Sequence, residues 1–246
     1  MNAARLAVAL AVAAGLSSPA AAMFAAAPLP LPADRPLAPV ILDPGHGGHD
    51  LGAVAHGVRE KDVALAVARK LRDRLKGGMP VELTRDRDVF VPLDRRVVDS
   101  VDWDGALFVS IHLNQVRDRR LRGALVYSYG PDRTYHRRRR RRHRRLVPPM
   151  PAPPRVEARE GGDLARDIVA EMREDGFRVA QKRSDYYVLK NPGTPSVLVE
   201  LGYLSNAAEA ARLSDPAYQD RLADSLAKAI ARYRDERAAR AETAAR

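Results

Sequence analysis

Cysteine is absent from the 246 residues. Disulfides and thiolate-held zinc or iron–sulfur centres are therefore excluded, and any metal must be held by His, Asp or Glu. Beyond the first 22 residues, no stretch is apolar and long enough to span a bilayer. No Gly-Lys-Ser/Thr sequence occurs, and no GxGxxG runs from strand into helix, so a phosphate-cradling loop is also excluded. There is no internal repeat. What remains is an ordinary globular balance, 46% hydrophobic and 30% charged, enough for one sizeable core.

The N-terminus has the order of an export signal. Arg5 supplies a minimal positive region, Leu6 to Leu16 an apolar stretch, and Ala20-Ala21-Ala22 a small-residue cleavage site. Residues 1–22 are expected to be a signal peptide and residues 23–37 a Pro/Ala-rich lead-in. The protein is then expected to be exported, to the periplasm or cell envelope. The net charge of +11 is mostly local, since "RRRRRRHRR", Arg137 to Arg145, holds eight arginines. Such a block could bind nucleic acid electrostatically, but no aromatic-interleaved platform accompanies it. No nucleic-acid partner is expected. A solvated loop, or contact with an acidic envelope surface through Arg137–Arg145, fits better.

From Val40 the chain alternates strand-like and helix-like patterns. "VILD" reads as a buried strand. Val63, Val67, Leu71 and Leu75 then recur every four residues along one helix face, which Gly77-Gly78 stops. "PVELTR", "ALFVSI" and "GALVYSYG" read as strands, with a helix at "LDRRVVDSV". Residues 131–162 hold the arginine block and "PPMPAPP", too rich in proline for a packed element, and are expected to be an insertion. Order is expected to resume with a helix from about Asp163, followed by strands at "YYVLK" and "SVLVEL". Asn206 and Glu209 stand at capping-box spacing. Leu222, Leu226, Ile230 and Tyr233 mark a last helix, and residues 234–246 a charged Ala/Arg-rich tail. The pattern predicts a single α/β domain, residues 38–233, with a mostly parallel or mixed central sheet and helices on both faces.

The chemistry-bearing residues gather at strand ends. "ILDPGHGGHD", residues 41–50, places His46 in a glycine turn just past a strand, and Glu60 opens the first helix. His112 follows "ALFVSI", and Glu200 lies inside "VLVELGY", at the far end of an apolar strand. Ligands in open α/β sheets bind beyond the carboxyl ends of strands, and two histidines with one carboxylate form a zinc set that leaves a coordination position open. Glu200, between Val199 and Leu201, would be costly to bury unless paired or near a cation. Each residue also has a bland reading: a loop histidine, a first-turn carboxylate, a core histidine and an arginine-paired glutamate.

Six stretches together resemble the zinc-dependent N-acetylmuramoyl-L-alanine amidases of the type 3 family: "ILDPGHGGHDLGA", "REKDVALAVARKL", "LTRDRDVFVPLDRR", "LFVSIHLN", "YYVLKNPGTPSVLVELGYLSN" and "YQDRLADSLAKAI". They occur in the family's order over roughly residues 38 to 232. The resemblance implies peptidoglycan as substrate, Zn2+ as cofactor, His46, Glu60 and His112 as metal ligands, Glu200 as acid/base and Asn114 as a residue lining the site. It leaves room for an activator protein and for occlusion of the metal by the insertion, with Glu157 or Glu160 as the reaching carboxylate. Leu51 replaces the family's usual proline, and Leu113 replaces a smaller residue and is expected to narrow the cleft. The rival readings are a catalytically silent wall-binding module, an envelope anchor with a structural zinc, and a zinc hydrolase of another amide.

Overall fold

The computed structural model describes residues 38–131 and 149–244; the expected signal peptide and the arginine block lie outside them. Six strands form the central sheet: β1 (Val40–Pro44), β4 (Val81–Leu83), β5 (Leu107–Asn114), β6 (Ala124–Tyr129), β7 (Val179–Ser184) and β8 (Ser196–Tyr203), in the order β4-β1-β5-β8-β6-β7. Every neighbouring pair is parallel except β6 and β8. The sheet is mixed and mostly parallel, as the alternating sequence pattern implies.

Alternation along the strands divides the core in two. Val40, Leu42, Val109, Ile111 and Val199 face one layer, made by α1 (Glu60–Leu75), α3 (Arg155–Glu174) and α5 (Pro216–Ala244). Ile41, Phe108, Leu125, Tyr127 and Leu198 face the other, covered by α2 (Leu93–Asp102) and a 3-10 turn at Tyr187–Lys190. The first layer is the thicker, because α1 and α3 both pack on α5. Helix α4 (Ala207–Ser214) opens on Asn206, whose side chain accepts from the Glu209 N–H at 3.1 Å.

Several expectations are corrected. The helix expected from Asp163 starts at Arg155, directly after Pro154, the end of the proline-rich run. The end of the expected insertion is therefore helical, and Gly161 within it is a close-packing position: a Cβ there would lie 2.7 Å from the Ser196 carbonyl oxygen. The "YYVLK" strand is instead the 3-10 turn, and the strand lies earlier, at "VAQKRS". That segment is an edge strand, where lysine and arginine replace the apolar alternation and discourage further pairing. The last helix runs on through Ala244, into the stretch read as a tail. A two-residue hairpin, β2 (Val54–Ala55) and β3 (Val58–Arg59), was not expected; His56 (φ 52) and Gly57 (φ 77) both adopt the left-handed turn geometry that such hairpins need. None of the described helices is long and apolar enough to cross a membrane.

Candidate metal centre

The site is built at the carboxyl ends of β1, β5 and β8. β1 ends at Pro44, and the chain turns through His46 (φ 58), Gly47 (φ 123) and Gly48 (φ 58). Three successive left-handed residues reverse the backbone sharply, and a non-glycine residue held there marks a turn fixed by its surroundings. Those surroundings are two arginines. Arg85 donates to the carbonyls of Pro44 at 2.9 Å, Gly45 at 2.7 Å and Lys61 at 2.9 Å. Arg96 donates to those of Pro44 and His46, both at 2.8 Å. Burial and the neighbouring Arg96 charge hold the Arg85 guanidinium down to about 10, so it stays charged at neutral pH.

Asp43 anchors this arrangement. Fully buried, it accepts from Arg96 at 2.5 Å, Thr84 at 2.7 Å and Ser110 at 2.6 Å. Burial alone would raise its pKa, but the Arg96 charge and these hydrogen bonds outweigh burial and hold it below the ordinary carboxylate range. A latch closes the other side of the turn. Lys61 donates to the Gly48 carbonyl at 2.8 Å and to Asp88 at 2.6 Å, and Asp88 accepts from the Gly48 N–H at 2.8 Å.

Glu60, the first residue of α1, points between the two histidines. Its Oε1 lies 2.8 Å from His112 Nδ1 and 3.1 Å from His46 Nε2, and accepts from the Leu113 N–H at 3.0 Å. Its Oε2 accepts from the Ala53 N–H at 2.7 Å. Burial pushes the Glu60 carboxyl up, but both imidazoles act against it and hold it far below the usual range. Burial likewise lowers the His46 pKa, and the Glu60 and Asp50 carboxylates reverse the sign and raise it. One potential ligand atom from each of His46, Glu60 and His112 lies within 4.8 Å of the others. Two imidazoles around a buried anion, all converging, form a donor set suited to a small divalent cation.

The structure thus brings three of the predicted site residues together. Glu200 stands directly opposite His112 in the β5–β8 register. Its charge contributes to raising the pKa values of Tyr127 and Tyr203, although burial is the larger cause for both. Just beyond, the register shifts between His112 and Asn114, so that Asn114 pairs with Tyr203. Such irregularities re-aim strand ends next to active sites. His112 is not past its strand, as expected, but inside β5, which runs to Asn114.

Two expectations fail here. Leu113 does not narrow the cleft: at 2% exposure it points into the opposite core layer. Nor do Glu157 and Glu160 approach the metal residues. Both belong to α3, where Glu160 accepts from Tyr233 at 2.6 Å and pairs with Arg237 at 3.3 Å on α5. From sequence, Asp50 is set aside as a metal ligand; its part is to support one, with Oδ2 2.8 Å from His46 Nδ1. An acidic residue four positions after the histidine, across a glycine turn, was the available signal. The buried Arg85 and Arg96 left none, since a charged residue reads as surface.

Comparison with known proteins identifies the family. The chain is 32% identical over 223 residues to the N-acetylmuramoyl-L-alanine amidase AmiC of Escherichia coli, covering 81% of this chain and 53% of that protein. It thus spans about half the length of that relative. Among solved structures it resembles the amidase AmiC2 of Nostoc punctiforme, with TM-score 0.65, 31% identity and coverage of 80% of this chain and 96% of that one. It also resembles the CwlD amidase of Clostridioides difficile, solved in complex with the GerS lipoprotein, with TM-score 0.60, 27% identity and coverage of 80% and 98%. The family pattern described as N-acetylmuramoyl-L-alanine amidase matches residues 40–232, and the chain belongs to this type 3 amidase family.

Proposed function

We propose that the site hydrolyses the amide between the lactoyl group of N-acetylmuramic acid and the L-alanine of the peptidoglycan stem peptide. The observation that carries this reading is the convergence of His46, Glu60 and His112 beside Glu200. His46, Glu60 and His112 would hold zinc, which when bound supplies Lewis-acid polarisation of the scissile carbonyl and the attacking water. Glu200 takes a proton from that water as its oxygen bonds to the carbonyl carbon. The carbon–nitrogen bond then breaks, and Glu200 returns the proton to the alanine nitrogen. One product ends in the muramic lactoyl carboxylate and the other begins with a free L-alanine amine. Asn114, on the β5 end beyond His112, is assigned to substrate contact.

Export to the envelope through residues 1–22 belongs to the same reading, because the substrate lies outside the membrane. The block Arg137–Arg145 is assigned to acidic envelope surfaces, with salt-sensitive binding as its signature. An activator protein is a further proposal, supported by the lipoprotein complex of the Clostridioides difficile relative.

The test is to incubate zinc-loaded protein with purified peptidoglycan and identify the products by mass spectrometry. Stem peptides beginning with L-alanine are expected. Glu200→Gln is expected to retain metal while turnover falls by ~10²–10⁴. Release of other fragments, or a Glu200→Gln protein near full rate, would overturn the assignment.

A further inference from the structure

A second concave site lies on the same edge of the sheet, on the opposite side of β8. Glu200 faces one layer, and its neighbour Leu201 faces the other. Leu201 helps to line a hollow of about 390 Å³. Around it stand Arg122 before β6, Phe177 and Arg178 before β7, Arg212 on α4, and Tyr218 and Arg221 on α5. All four arginines are exposed.

The walls are ordered by specific contacts. The Arg221 guanidinium sits 5.1 Å from the centre of the Phe177 ring, and that ring meets Tyr218 edge-on at 5.7 Å. The stem of Arg178 lies under Gly123, where a Cβ would come within 2.8 Å of its Cγ. One carboxylate, Glu209, shares the hollow, but its charge is spent on the wall. It accepts from the backbone N–H groups of Gly123 and Tyr203, both at 2.9 Å, and pairs with Arg212 at 3.3 Å. This explains the half-used capping box on α4: Asn206 caps the Glu209 N–H, while the Glu209 side chain ties the ends of β8 and β6 together. Four guanidinium groups against one satisfied carboxylate leave the hollow strongly positive.

A separate feature connects it to the metal residues. Residues 115–123 run directly from Asn114 to the rim of the hollow and carry exposed Arg117, Arg119 and Arg120, of which Arg120 pairs with Asp118 at 3.0 Å. The catalytic edge therefore bears a basic band that starts beside the reaction centre and ends in a cavity.

We propose that this hollow is an anion-binding subsite that grips carboxylate or phosphate groups of the wall polymer at a distance from the scissile amide. The guanidinium fork matches both anions bidentately. A polymer held at the hollow presents its next stem peptide to the metal centre at high effective concentration. The inference rests on the amidase reading for the identity of the polymer, and its test separates the two.

The full-length zinc-loaded protein and its Arg122→Gln/Arg178→Gln variant are compared by co-sedimentation with purified wall and by hydrolysis of wall and of a soluble single-repeat muramoyl peptide. Both keep Arg137–Arg145, so binding through that block is common to both. The variant is expected to bind wall about tenfold more weakly, with KM raised on wall and kcat within about twofold, and to cut the soluble fragment as the wild type does. Stripping phosphate from the wall removes the difference if phosphate is the ligand; amidating its carboxylates removes it if carboxylate is. Unchanged wall binding overturns the proposal. So does an equal loss on the soluble fragment, a difference that survives both treatments, or a lowered unfolding midpoint that explains the loss. If neither protein cuts either substrate, the amidase reading fails while sedimentation still decides the subsite.

Discussion

Asp50 Oδ2 accepts a hydrogen bond from His46 Nδ1 at 2.8 Å, which leaves Nε2, on the Glu60 side, as the nitrogen available to a metal. Asp50 is itself steadied by the Gly52 N–H, at 3.1 Å from Oδ1. A carboxylate behind a metal-binding histidine selects the tautomer and fixes the ring plane. Asp50→Ala is therefore expected to weaken zinc binding by about 10–100-fold, read by competition with a chromophoric chelator. Wild-type affinity in this variant would reduce the contact to loop structure.

Gly45 shows how tightly the turn and the site share space. A Cβ there would lie 2.2 Å from His112 Cε1, although the Gly45 backbone itself lies outside the left-handed region. Gly45→Ala is expected to displace the His112 ring, lower metal occupancy at least tenfold and cost about 1–3 kcal/mol from overpacking. Gly57→Ala provides the contrast. Its φ of 77 strains an alanine, but nothing lies within 4 Å of the added Cβ. That change should cost about 1–2 kcal/mol and leave metal affinity alone, as metal analysis and thermal unfolding would show.

Metal addition separates holding the ion from using it. Zinc at about 100 times its Kd should stabilise the fold by about 2.7 kcal/mol, or raise Tm by about 5–10 °C for a chain of this size. Glu200→Gln should keep that shift, because its carboxyl is assigned to proton transfer. Glu60→Gln should lose most of it. Equal shifts in all three proteins would remove Glu60 from the ligand set.

The parts of this molecule legible in its sequence are those governed by local pattern. Strand β1 and helix α1 announce themselves through apolar periodicity, and the order of strands and helices implied the sheet class. The edge strand β7 was hidden because solvent on one side replaces hydrophobic alternation with Gln181, Lys182 and Arg183. The start of α3 was hidden because the proline run ending at Pro154 made the residues after it read as part of the insertion. At the site, His46, His112 and Glu200 could be placed at strand ends from sequence, and Glu60 at the start of the first helix. Their supports could not: Arg85 and Arg96 become core residues only when the carbonyls of a left-handed turn need donors, a demand created by tertiary structure.

The Asp43–Arg96 pair gives the most direct stability test. Asp43 is fully buried and Arg96 is 3% exposed. Removing one partner strands the other charge, so Arg96→Met is expected to destabilise the fold by about 3–5 kcal/mol. The double variant Asp43→Asn/Arg96→Met should recover part of this loss, although the carbonyls of Pro44 and His46 still lack their donor. The pH dependence has a fixed sign. Because the folded Asp43 pKa lies below that of a free aspartate, the unfolded chain takes up the proton first. Its stabilisation is fully present above that ordinary range and is lost as pH falls through it towards the depressed folded value. Urea unfolding from neutral pH down to about pH 3 should show wild-type stability falling with a steeper slope than that of the double variant, which has no carboxyl at position 43 to titrate. Parallel slopes would mean that the Arg96 guanidinium does not stabilise the Asp43 anion.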